Sequence, residues 1–218
     1  MTRSAAVDIA GLSYDQWLTT VFDHEPPSDS RDERWFWAAD LQVSSPAPVL
    51  ENFTRTCAGF QDVVRQFSLP QIDQGIWLLL GPRLRVSQYL FVPSIPRALR
   101  TRCVQSMYSV FADFVATSTV DEMENCFYMW WELVLLGEPR QPELPDERAV
   151  VRREILDVLL RILALPDSRC QTYALHGMGH LGDSGSREAV ATWIEQHRHE
   201  LDDAAIRWAE SCRDGTVQ

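Results

Sequence analysis

Residues 151–163 read VRREILDVLLRIL, and this stretch decides the fold class. Val151, Ile155, Val158, Leu159, Ile162 and Leu163 recur at helical spacing and form one apolar stripe, while Arg153, Asp157 and Arg161 line the wet side one turn apart. Leu165-Pro166 stops this helix, and Asp167 is placed to cap the next. Three further short helices fit residues 168–181, 187–198 and 202–212. Upstream the same period dominates. Ser13 and Gln16 form a capping box for a helix that fades near His24, with Leu12 and Trp17 at staple positions. Residues 25–34 are polar and acidic and read as a loop, after which Trp35-Phe36-Trp37 returns the chain to the core in a short helix. Pro46 and Pro48 suit the first turn of a helix that runs to Phe67, with Leu50, Phe53, Cys57, Phe60, Val64 and Phe67 on one face. Pro70 opens a short apolar helix ending at Gly81. Arg85 to Val92 can be extended, but two prolines bound the stretch 82–94 closely and its structure stays open. Pro96 starts a long helix with the stripe Leu99, Cys103, Met107, Val110, Phe111 and Phe114. The helix near 120–136 is apolar almost all round, as a central buried helix should be. Gly137 to Pro145, with three prolines, is the linker-like stretch.

The expectation is therefore an all-α fold of stacked antiparallel helical hairpins. Its helical N-terminal part, 1–137, has an aromatic-rich core, and 146–218 follows it within one continuous domain.

Composition narrows the chemistry. Of 218 residues, 31 are acidic and 20 basic, a net charge of −11, and every basic residue is arginine. Without lysine there is no Schiff base, lysine general base or P-loop lysine. Acidity argues against nucleic acid or an anionic membrane as partner. The charge is uneven: −5 over residues 1–68, +3 over 69–118 and −9 over 119–218. Arg83, Arg85, Arg97, Arg100 and Arg102 make the middle basic, either for ion pairs within the fold or for an anionic partner. Five scattered cysteines, none at C-x-x-C spacing, read as free thiols in a reducing cytoplasm. No secretory signal and no membrane-length apolar run is expected, and no cofactor is implied.

The segment Ala174-Leu175-His176-Gly177-Met178-Gly179-His180-Leu181-Gly182-Asp183 resembles the HEAT-like repeat pattern that closes a first helix. Ala189-Val190 and Trp193-Ile194 fall where such repeats place the second helix, and Ala204 to Ala209 looks like the start of another. This resemblance covers about 50 residues of 218 and implies a HEAT-like α-solenoid. Tyr128-Met129-Trp130-Trp131 and Ala174 to His180 also resemble the YMWW and ALHGxGH blocks of a bacterial family, which brings no reaction with it.

His176 and His180 are the sharpest candidates. At i and i+4 on a helix they share a face, as a zinc pair does. Helical-wheel arithmetic puts both roughly 90–130° from the centre of the stripe Cys170, Tyr173, Ala174, Gly177, Met178 and Leu181, so they should flank the core. No glutamate follows His176 as in H-E-x-x-H, and a third ligand would come from afar, with Glu124, Glu132 or Asp183 as the options. An inter-helix hydrogen-bond role is the simpler expectation. Gly177 and Gly179 predict close approach of another helix. Glu132, on an apolar helix, must pair or shift its pKa, and an arginine from 97–102 is the expected partner. Trp130 belongs to a core stripe or a pocket wall, and Arg97 and Arg100 are candidate anion contacts. His197 is expected to be a satisfied core histidine and His199 to face solvent.

These features favour a non-catalytic protein-binding module of the bacterial cytoplasm, with a basic protein as partner, for example an immunity or antitoxin-like chain. The alternatives are a metal-dependent hydrolase using His176 and His180, a resemblance to HEAT-like alkylpurine DNA glycosylases that −11 disfavours, and a small-molecule-binding domain around the tryptophans.

Overall fold

A computed structural model describes residues 6–27, 34–120, 124–139 and 145–217. Among the described residues the fold is all-α apart from one parallel pairing of β1 (Val7–Asp8) with β2 (Leu41–Gln42). The helices are α1 (Tyr14–Phe22), α2 (Pro46–Ala58), α3 (Phe60–Val64), α4 (Leu69–Leu80), α5 (Arg97–Ser109), α6 (Asn125–Tyr128), α7 (Trp130–Leu135), α8 (Pro145–Leu163), α9 (Ser168–Leu181), α10 (Ser184–His197) and α11 (Asp203–Asp214). Among the described residues no helix is long and apolar enough to cross a membrane.

Local chemistry explains most boundaries. Ser13 Oγ accepts from Gln16 N at 3.3 Å while Gln16 Oε1 accepts from Ser13 N at 3.0 Å, the expected capping box. Asp167, Asp183 and Asp202 accept from the third residue beyond them and start α9, α10 and α11. Gly182 and Gly215, at φ +62° and +71°, end α9 and α11 in the left-handed conformation.

Three helices differ from the expectation, and the stretch left open takes a definite form. The helix from Pro46 is interrupted at Gly59. Val86–Phe91 is a tight 3-10 helix rather than extended, entered through Arg85 at φ 47°. The long helix from Pro96 loosens into a π turn, Val110–Phe114, and then a 3-10 turn. The central helix is two short pieces broken at Met129, with residues 121–123 outside the described set. The polar segment 25–34 also lies partly outside it, at 28–33.

One hydrophobic core runs from Ile9 to Val217. At its centre Trp130 packs against Phe53, Phe60 and Phe111, and Phe111 stacks on Trp131 at 5.9 Å. Helix α9 packs against α6, α7, α8, α10 and α11, so it sits in the middle of the C-terminal half.

Candidate metal centre

The site begins with the two glycines of α9. A Cβ on Gly177 would lie 2.6 Å from Trp131 Cβ on α7, and one on Gly179 would lie 2.6 Å from Val217 and 3.1 Å from the Cys212 backbone. The chain therefore lacks side chains where α9 is clamped between α7 and the C-terminal segment. The clamp brings one side of α9 against the α6–α7 break. At that break Met129 (φ −79°, ψ −4°) turns the chain, and the Tyr128 carbonyl accepts a hydrogen bond from His176 Nδ1 at 3.1 Å. The Tyr128 ring stacks on the His176 imidazole, with centroids 4.0 Å apart.

A carbonyl can only accept, so this bond fixes the tautomer. His176 carries its proton on Nδ1 and presents a bare lone pair at Nε2. That lone pair faces His180 Nε2 at 3.2 Å, and His180 Nε2 lies 3.4 Å from Glu132 Oε2. One ligand atom from each of the three residues lies within 4.8 Å of the others. In neutral imidazoles the single Nε2 proton of His180 would have to serve both other acceptors, whereas a divalent cation satisfies all three. A tetrahedral ion with bonds of about 2.0–2.1 Å to nitrogen holds adjacent donor atoms about 3.3–3.4 Å apart, close to the 3.2 and 3.4 Å here.

Burial, with His180 beside it, pushes the His176 pKa down to about 4, against the pull of the Tyr128 carbonyl. The imidazole is thus neutral near pH 7, the protonation state a metal ligand needs. Burial raises the Tyr128 phenol, with the Trp208 indole of α11 opposing the shift. All five cysteines are buried with their thiols pushed up, to about 12 for Cys103, Cys170 and Cys212. They are protonated and none joins the cluster.

The other expected site residues fall elsewhere. His176 does not flank the core but is fully buried, because the ring and carbonyl of Tyr128 on α6 cover its imidazole. Glu132 does not pair with an arginine of 97–102. Arg100 is buried and donates to Leu90 O, Ile95 O and Glu147, and Arg102 pairs with Glu51. Arg97 is exposed. Arg83 donates to the carbonyls of Phe36, Ala39 and Leu41, so much of the basic middle holds loops together. Trp130 is a fully buried core residue packed against Phe111. Of the three distant options, Asp183 caps α10, Glu124 precedes α6, and Glu132 meets the histidines. His197 is half-buried, bonded to Trp193 O and stacked on its ring, and His199 is exposed. Sequence reasoning missed the Tyr128 carbonyl, since a main-chain group freed by a helix break leaves no mark in residue type. Comparison with family models, curated proteins and solved structures gives no match.

Proposed function

We propose that the chain is a zinc-binding protein whose ion is held by His176 Nε2, His180 Nε2 and the Glu132 carboxylate. The observation that carries this is the convergence of the three donors, with the His176 lone pair aimed by the Tyr128 carbonyl. A metal-ligating imidazole commonly donates its other N–H to a carbonyl or carboxylate in this way. Two imidazoles and one carboxylate suit zinc, whereas magnesium and calcium prefer all-oxygen sets. The test is competitive titration of the metal-free chain with zinc against a chromophoric chelator. One tight equivalent is expected, and it is lost in His180→Ala, whose side chain is 23% exposed and whose replacement leaves the core intact. Absence of a stoichiometric equivalent sinks the proposal.

A second reading has one observation of its own. Helices α8 and α10 flank a groove of about 580 Å3 walled by Leu160 and Trp193, with Leu160 41% exposed. The chain as a whole carries −11, a charge that suits a basic protein partner, in the manner of an immunity or antitoxin-like cytoplasmic module. The HEAT-like solenoid interpretation of 146–218 belongs with this reading, supported by the packing of α8 on α9, α9 on α10 and α10 on α11. A basic partner displaced by Leu160→Asp and Trp193→Asp would support it; a partner indifferent to both would remove the groove.

A further inference from the structure

Resting on the zinc reading, we infer that the centre keeps an exchangeable fourth position facing solvent and activates water there for the hydrolysis of uncharged carboxylic esters. Structural zinc sites are closed by four protein ligands, while catalytic ones have three and a water. Among the described residues the cluster offers three donors and takes no fourth histidine, cysteine or carboxylate.

The burial of the donors is graded in one direction. His176 is fully buried at the inner end, while the side chains of His180 and Glu132 are 23% and 29% exposed. A fourth ligand would therefore reach the ion from the side of His180 and Glu132, the partly exposed donors. The inner end is held rigidly. The Tyr128 carbonyl and ring orient His176, and the contacts facing Gly177 and Gly179 hold α9 between α7 and α11. A cluster so braced keeps its three ligands in place while the fourth exchanges.

The pairing of the arginine that reaches the residue after His180 favours a neutral substrate. Arg152 reaches the same end of α9, but its guanidinium is committed to the Leu181 carbonyl and to Glu138, and Arg148 also binds Glu138. A phosphate ester would want such a cation free. In the hydrolysis the bound water passes one proton to solvent buffer, and the resulting hydroxide oxygen bonds to the carbonyl carbon. The bond from that carbon to the leaving oxygen then breaks. The leaving group takes the electron pair and a solvent proton, so water is consumed and acid and alcohol are released.

The experiment uses the full chain loaded with cobalt(II) for spectroscopy and with zinc for activity. Azide titrated into the cobalt protein is expected to shift its visible bands saturably. The zinc protein is expected to hydrolyse 4-nitrophenyl acetate on the order of 10²-fold faster than the metal-free chain. Both responses should vanish in His180→Ala and weaken in Glu132→Gln, with circular dichroism confirming that the variants fold. A cobalt spectrum indifferent to azide would mean a closed structural ion and overturn this inference while leaving zinc binding intact. Azide exchange without ester turnover, or faster hydrolysis of 4-nitrophenyl phosphate than of the acetate, overturns the hydrolytic assignment. Failure to take up either metal removes the zinc reading itself.

Discussion

The carboxylate of Asp73 on α4 is buried and that of Glu132 on α7 is partly exposed, and the two are partnered in opposite ways. Asp73 accepts from Cys126 N and from Trp77 Nε1, each at 3.1 Å, and pairs with Arg34 at 3.0 Å. Its oxygens are saturated by donors that need it, so it staples α4 to the start of α6. Glu132 meets a histidine at 3.4 Å, beside a second histidine whose own lone pair is unprotonated. Donors around a carboxylate make a structural link; lone pairs around it make a ligand set. The difference lies in the neighbours and not in the carboxylate.

Removing each carboxylate should therefore give opposite phenotypes. Asp73→Ala strands a partly buried guanidinium and two N–H donors, and should cost about 2–3 kcal/mol of stability in urea denaturation. Zinc uptake by the folded fraction should survive it. Glu132→Gln should change stability by no more than about 0.5 kcal/mol yet weaken zinc binding on the order of 10²-fold. Equal effects of the two variants on both measurements would erase the distinction.

A pH series sharpens the same contrast in the metal-free chain. The His176 pKa sits at about 4 when folded, against its ordinary 6.5. Between those values the unfolded chain takes up a proton that the folded chain does not, so stability falls as pH drops through this window and is level on this account above it. The expected loss is about 2–3 kcal/mol between pH 7 and pH 4, and His176→Gln should lack that slope. The clamp should respond less than Asp73 does. In Gly177→Ala the new methyl meets Trp131 at 2.6 Å and Leu159 at 2.9 Å. The clash outweighs the helix-propensity gain of about 1 kcal/mol, for a net cost of about 1–2 kcal/mol. Because it pushes α9 off α7, it should also loosen zinc, and unchanged affinity would show that the glycine serves packing alone.

Much of the scaffold was legible. Ser13 with Gln16, Asp167 before α9 and Gly182 after it are local signals, and each acts within one helical turn. The His176–His180 spacing was legible for the same reason. The break at Met129 was not, because Tyr128 to Trp131 carries no glycine or proline, and only a partner for the freed carbonyl makes the interruption worthwhile. Nor was the fate of Glu132. An arginine from residues 97–102 was a reasonable partner until Arg100 found two backbone carbonyls and Glu147, and Arg102 found Glu51. Periodicity also hid the burial of His176, since a helical wheel locates one stripe and α9 is covered on several sides.

By itself the sequence determined that this chain is helical, where most of its helices start and stop, that its cations are all guanidinium groups, and that two imidazoles share one face of a helix. These follow from interactions between residues three or four apart, which any copy of the segment would make. Only the tertiary structure decided that the imidazoles meet Glu132 and the Tyr128 carbonyl, the latter 48 residues from His176 in sequence. Such choices depend on which helices pack and how closely. Here two absent side chains, at Gly177 and Gly179, set that closeness.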